Sequence, residues 1–226
     1  MKKDKIKSAW QLGFYKDIEK RTDKIFREPH KDLPKFIKLL KQAQVKNVLD
    51  LGCGTGRHLV ALAKAGFKVY GIDLTDIAIK VAKKWLGSEN IKANLIVCNI
   101  YRELPYKNNF FDGVISTKAL YHARVSQIKK LVEELERVLR PGGILMVEVP
   151  RRKRGYERFK GRYKEIAPGT IVPVDGPEKG VPHYIFSNRK ELTDLFPNFK
   201  ILRISFSGGY NKFTRNSHYT MFAKLK

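Results

Sequence analysis

Val48-Leu49-Asp50-Leu51-Gly52-Cys53-Gly54-Thr55-Gly56 is the stretch from which the rest of the chain can be read. An apolar strand runs into three glycines at alternate positions, and an acidic residue stands just before them. Leu59, Leu62 and Ala63 then recur at helical spacing. Glycines at such a junction let the backbone turn sharply and approach a ligand closely. The helix behind them offers unpaired N–H groups at its positive end. The dinucleotide-binding fingerprint is spaced G-x-G-x-x-G, whereas this loop is G-x-G-x-G preceded by Asp50.

Outward from that loop the chain alternates strand and helix. Arg57 to Ala65 reads as a helix stopped by Gly66, and Phe67 to Ile72 as a strand ending at Asp73. Thr75 is placed to cap a helix with Ile77, Val81 and Trp85 on one face. Asn94 to Cys98 is a short apolar strand, residues 99–109 a loop, and Phe110 to Ser116 another strand. Ile128, Leu131, Val132, Leu135, Val138 and Leu139 mark an amphipathic helix. It ends at Arg140-Pro141-Gly142-Gly143, and Ile144 to Val149 is a fifth strand. Apolar strands alternating with helices predict a parallel sheet covered on both faces.

Both flanks differ from this core. In residues 1–30, Ile6, Trp10, Phe14 and Tyr15 share roughly one helical face, fitting either a helix packed on the domain or a lid over a ligand. Asp32 is placed to cap a second helix with Pro34 in its first turn and Phe36, Ile37 and Leu40 inward. Residues 151–186 are rich in Pro, Gly and charge and too irregular for another strand–helix unit. Ser187 is expected to cap a helix bearing Leu192, Leu195 and Phe196. Phe199 to Phe206 and Ser217 to Leu225 then read as strands, with Ser207-Gly208-Gly209 opening the turn between them. Without a helix between them these two strands run antiparallel. The expected layout is one domain: a helical lid region (1–45), a ligand-binding core (46–150), a cap (151–186) and a closing helix with two strands (187–226).

The 226 residues contain no apolar run near the roughly 20 residues of a membrane span. The charged start lacks the apolar core of a signal peptide, and Cys53 and Cys98 are the only cysteines. Two thiols without metal-ligand spacing suit a reducing compartment, so a cytoplasmic location and no membrane insertion are expected. Lys and Arg number 46 against 22 Asp and Glu, a formal net charge of +24. Such an excess attracts polyanions, although most of the lysines are scattered as on an ordinary solvated surface.

Four motifs in order resemble the class I S-adenosylmethionine-dependent (SAM-dependent) methyltransferases: Asp50 to Gly56; Gly71-Ile72-Asp73-Leu74; Leu104-Pro105-Tyr106 before Phe110-Phe111-Asp112-Gly113-Val114; and Arg137-Val138-Leu139-Arg140-Pro141-Gly142-Gly143. The resemblance covers about residues 45–226 and extends to small-molecule enzymes of the quinone-biosynthesis type. It implies an α/β Rossmann-like three-layer sandwich. Its seven-stranded mixed sheet would have the order 3-2-1-4-5-7-6, with the last strand antiparallel. Ligands then bind beyond the carboxyl ends of the strands, where strand order reverses.

On that resemblance Gly52, Gly54 and Gly56 would let the backbone touch the methionine part of SAM, and Asp50 would accept from its amino group. Asp73 would take the ribose hydroxyls and Leu74 would pack on adenine. Asn99, where the family often carries an acid, would contact the adenine amino group, with Ile100 and Ser116 completing the cofactor set. After methyl transfer the product is S-adenosylhomocysteine.

The acceptor side would be lined by Ser116-Thr117-Lys118-Ala119-Leu120-Tyr121-His122. His122 could serve as a base and Tyr121 could orient the acceptor; equally, both could be structural. Lys118, Tyr121, His183, Tyr184 and Tyr15 complete the acceptor-contacting candidates, and no metal is expected. A small-molecule acceptor is the leading expectation. Residues 151–164, with eight basic side chains and three aromatics, keep an RNA or ribosomal acceptor as the alternative. A third possibility is SAM binding without transfer.

Overall fold

The computed structural model describes residues 5–18, 24–151, 159, 161–207 and 218–226. Seven strands form the central sheet: β1 (Asn47–Leu51), β2 (Lys68–Asp73), β3 (Ala93–Val97), β4 (Phe111–Thr117), β5 (Leu139–Pro150), β9 (Phe199–Ser207) and β10 (His218–Leu225). Their order is β3-β2-β1-β4-β5-β10-β9. Strands β1 to β5 pair in parallel, and β10 runs antiparallel to both β5 and β9. This is the expected Rossmann-like order, with its reversal between β1 and β4.

Alternation along each strand builds two cores, because successive side chains leave a strand on opposite faces. Leu49, Leu51, Leu145, Val147 and Val149 face α6 (Val125–Val138) and α7 (Arg189–Asp194). Val48, Ile115, Ile144 and Met146 face α3 (Leu33–Gln42) and α4 (Arg57–Lys64). The α6 stripe of Ile128, Leu131, Val132, Leu135 and Val138 is wholly buried, worth about 1.5–3 kcal/mol per large side chain.

Several local expectations are corrected. The helix α5 (Asp76–Ser88) is capped by Thr75, whose hydroxyl accepts from the Ala78 N–H. Its buried residues, however, are Ala78, Ile79, Ala82 and Leu86. Ile77 and Val81 pack with Ala78 on a third cluster of Tyr15, Ile18 and Phe26, whereas Trp85 packs on the core that holds Ile79 and Leu86. The cap of α7 is Asn188 rather than Ser187, with its Oδ1 accepting from the Glu191 N–H at 2.9 Å. Asp32 holds the N-cap position of α3 without capping through its side chain; its carboxylate takes the Lys35 ammonium at 2.6 Å instead.

Arg140 to Gly143 does not end before β5 but forms part of it, as an irregularity between the Phe111–Leu139 and Gly113–Ile144 pairs. Within the span read as irregular, β6 (Tyr163–Ala167), β7 (Thr170–Pro173) and β8 (His183–Tyr184) form a small antiparallel sheet. Its strands are too short for alternation to be legible.

The chain begins with α1 (Lys5–Ala9), continues as one wide π turn over Trp10–Phe14, and after α2 (Lys24–Arg27) reaches α3. No helix among the described residues is long and apolar enough to cross a membrane. Cys53 and Cys98 are both free thiols. Of the basic run 151–164, residues 152–158 and 160 lie outside the described residues, as do Ser217 and the glycines of the β9–β10 turn. Arg162 pairs with Asp175 at 3.0 Å.

Candidate functional site

The glycine loop leaves β1 at the point where sheet order reverses. Gly52 and Gly54 adopt φ of +79° and +54°, the left-handed region that a side chain disfavours. A Cβ on Gly52 would stand 2.3 Å from the Ala119 Cβ, and one on Gly54 would stand 3.1 Å from the Tyr15 hydroxyl. The loop is pinned to the neighbouring strand: the N–H groups of Gly52 and Cys53 both donate to the Ile72 carbonyl at 2.8 Å. The Gly54 N–H donates to Asp73 Oδ2 at 3.0 Å, while Asp73 Oδ1 accepts from the N–H and hydroxyl of Thr75, each at 2.9 Å. Burial raises the Asp73 carboxyl above its usual range, against the lowering by these three bonds.

Asp50 is 1% exposed, and neither carboxylate oxygen has a hydrogen-bond partner among the described residues. His58 Nδ1 stands 3.5 Å from Oδ2, within ion-pair reach but long for a hydrogen bond. The proton sits on that nitrogen because His58 Nε2 accepts from the His30 backbone N–H at 3.2 Å. Burial lowers the His58 pKa more than Asp50 raises it, so the ring stays neutral. A buried carboxylate with only this one long contact is under-satisfied until a further donor reaches it. An ammonium-bearing ligand beside the glycine loop is the group this arrangement fits.

His30 repeats the pattern one strand away. Its Nδ1 accepts from the Asp32 N–H at 3.1 Å, leaving the Nε2 proton facing Glu148 Oε1 at 3.3 Å. Burial pushes Glu148 up. The His30 bond and the charges of His218, His30 and Lys118 outweigh it, holding the carboxyl well below its usual range. Arg57 joins the same floor, donating to the Glu28 carbonyl at 3.2 Å and the Thr117 hydroxyl at 3.3 Å. Residues 30, 58 and 148 were missed in the sequence. A charge within the apolar run Ile144 to Val149 was the one available signal.

Other expected cofactor residues have protein partners. Ser116 donates to the Leu51 carbonyl at 3.0 Å, Asn99 Oδ1 accepts from the Tyr101 N–H at 3.0 Å, and Ile100 is buried in the core. Leu74 is half-buried beside Asp73. Tyr15, expected on the acceptor side, stands over the glycine loop. Burial, followed by the charge of Asp73, raises its pKa, so it remains a phenol.

The acceptor-side loop is shaped by Lys118, a non-glycine residue at φ +56°, and by Tyr101, whose hydroxyl donates toward the carbonyls of Ala119 and Leu120. Tyr121 is buried. His122 Nε2 stands 2.8 Å from the Lys118 carbonyl, and its Nδ1 stands 3.3 Å from His183 Nδ1. His183 Nε2 reaches Glu178 Oε2 at 3.1 Å. Tyr184 instead turns into the core, where its hydroxyl meets Glu191. Trp10 packs edge-on against His122, and Gly13 lies against the Pro177 carbonyl so closely that a Cβ there would come within 2.3 Å of it. With Lys7 paired to Asp76 at 2.6 Å, the N-terminal segment spans from the donor loop to the acceptor wall. The segment is packed on the domain, the first of its two expected readings.

Comparison with known proteins places this geometry. Residues 48–143 match the family model described as a methyltransferase domain. The chain is similar to 24-methylenesterol C-methyltransferase 3 of Arabidopsis thaliana, 29% identical over 148 residues, which cover 61% of this chain and 38% of the relative. It is likewise similar to demethylmenaquinone methyltransferase of Clavibacter sepedonicus, 29% identical over 135 residues, covering 57% and 52%. The chain thus spans about two fifths to one half of the length of these curated relatives. Among solved structures, a SAM-dependent methyltransferase of Methanosarcina mazei superposes with TM-score 0.68 at 23% identity, over 79% of this chain and 92% of that one. The motif order and the sheet order agree with this match of residues 48–143 to a methyltransferase domain.

Proposed function

We propose that the chain transfers the methyl group of SAM to a small-molecule acceptor by in-line displacement. The observation that carries this reading is Asp50: a buried carboxylate without a close donor, directly before a loop whose glycines are bent into left-handed conformations. Asp50 would receive the cofactor's ammonium, Gly52 and Gly54 would admit its chain, and Asp73 would face its ribose. When bound, SAM supplies an activated methyl carbon, whose bond pair returns to sulfur as the acceptor's lone pair forms the new bond.

The protein's own share is position. The β1 loop fixes the donor side, the Lys118–His122 loop walls the acceptor side, and Trp10 with Tyr15 closes both from water. Holding the attacking atom about 3 Å away in line contributes most of the rate. Sterol and quinone precursors in the names of the relatives support a small, apolar acceptor. The test is incubation of purified protein with methyl-labelled SAM and fractionated cell extract. Label in a small molecule, with S-adenosylhomocysteine formed in equal amount, is expected. Label confined to RNA or protein, or no turnover at all, overturns the reading.

A further inference from the structure

Arg151 opens the basic run 151–164, which the cofactor site leaves unused. It stands just past the carboxyl end of β5, bridged to Phe186. Its guanidinium lies over the ring of Phe206, 4.8 Å from the centroid. The Arg189 guanidinium, at the start of α7, lies 5.0 Å from the same centroid. Lys31 donates from Nζ to the Phe206 carbonyl at 3.3 Å. Three cations thus converge on one residue near the end of β9. Phe206 itself rests on Tyr219, ring centroids 5.7 Å apart.

Like charges repel unless an opposite charge stands among them. The Phe206 ring attracts both guanidiniums through its π face but carries no net charge. Among the described residues no carboxylate forms an ion pair with Arg151, Arg189 or Lys31. Arg137, Arg140 and Arg162, by contrast, meet Glu134 at 2.7 Å, Asp112 at 2.9 Å and Asp175 at 3.0 Å. Phe206 is 37% exposed, Arg189 and Lys31 are exposed and Arg151 is half-buried, so the cluster is open to a ligand.

It also borders the acceptor wall. The Tyr184 N–H donates to the Tyr121 carbonyl at 2.8 Å, and the Phe186 N–H donates to the Pro150 carbonyl at 3.1 Å, beside Arg151. We propose that Arg151, Arg189 and Lys31 bind an anionic group, a carboxylate or a phosphate, carried by the methyl acceptor away from the attacked atom. Phe206 is the flat apolar surface beside it. Each guanidinium presents paired N–H donors that match two oxygens of such a group. This rests on the methyltransferase reading above and deepens it: the acceptor is an apolar body with one acidic end.

The experiment is an NMR titration of the full chain, following arginine Nε–H signals, with phenyl phosphate, benzoate and neutral benzamide as probes. Arg151→Gln and Arg189→Gln each assign the signal they remove. Both signals are expected to shift together and saturably with either anion, and not with benzamide. Losing one arginine should weaken binding about fivefold at the remaining signal, while Arg162→Gln leaves it unchanged. No saturable shift, an equal response to benzamide, or an equal loss in Arg162→Gln overturns the site. Should a variant not fold, the wild-type response to anions against benzamide decides alone. Displacement of the anion by SAM would give the cluster to the cofactor's carboxylate, and displacement by a micromolar uridine decamer would give it to nucleic acid. Either overturns the acceptor assignment. In the labelled-SAM assay the labelled product should be retained on an anion exchanger, and a product that flows through overturns that assignment too. S-adenosylhomocysteine formation reports on methyl transfer, and the anion titration does not depend on it.

Discussion

Replacing Gly52 by alanine tests whether the cofactor loop is built as described, and the structure supplies its own control. Gly52 and Gly66 both sit at positive φ, +79° and +96°. An alanine forced into that region costs about 1–2 kcal/mol at either position. The surroundings differ. A Cβ on Gly66 meets nothing within 4 Å, whereas one on Gly52 stands 2.3 Å from the Ala119 Cβ. Carbon atoms in contact prefer roughly 3.5–4.0 Å, so the Lys118–His122 wall or the glycine loop must give by more than 1 Å. Such overpacking adds about 1–3 kcal/mol.

Gly66→Ala is therefore expected to lower Tm by about 2–8 °C and Gly52→Ala by about 4–20 °C, at ~2–4 °C per kcal/mol for a chain of this length. Only Gly52→Ala is expected to weaken SAM binding, by at least about tenfold, equivalent to ~1.4 kcal/mol. Calorimetry of both variants with SAM, alongside thermal unfolding, gives the answer. Equal SAM affinity in the two variants would refute the steric argument, since backbone strain alone would then explain both.

Two further outcomes follow from the buried charges. Asp50→Asn should weaken SAM binding by about 10–150-fold, the loss of one charged hydrogen bond at ~1.5–3 kcal/mol, without lowering Tm. A variant that binds normally, or one that unfolds, would remove Asp50 from the cofactor site. The pH dependence of stability has a definite sign at His58. Burial holds its folded pKa below the unfolded value of 6.5, so the unfolded chain takes up the proton first. Stability is then lost as pH falls below 6.5, with a slope approaching ~1.4 kcal/mol per unit. Urea unfolding at pH 7 and pH 5.5 should show this loss in the wild type and a smaller one in His58→Asn.

How much of this was legible beforehand divides by the range of the interactions. Strand–helix alternation, the glycine spacing and the motif order are local patterns, and they determined the sheet, its reversal point and the loop that would hold the methyl donor. Asp50 and Asp73 were readable because a strand end places its last side chains by register. Even locally, the pattern failed where two partners compete for one helix. The expected face of Ile77, Val81 and Trp85 on α5 is split: Ile77 and Val81 pack with Ala78 on the N-terminal segment, while Trp85 joins Ile79 and Leu86 on the core.

Tertiary structure decided which distant side chains meet. His30, His58 and Glu148 come from three separate elements, and only their packing sets which nitrogen of each ring is protonated. His122 was visible as a titratable side chain beside β4, but its partner His183 lies 61 residues away, with Glu178 only 5 residues from His183. No spacing in the chain encodes that contact. The sequence by itself determined where a methyl donor would sit. The packing decided which side chains face one another at the Lys118–His122 loop, because residues this far apart in the chain are brought together only by the fold.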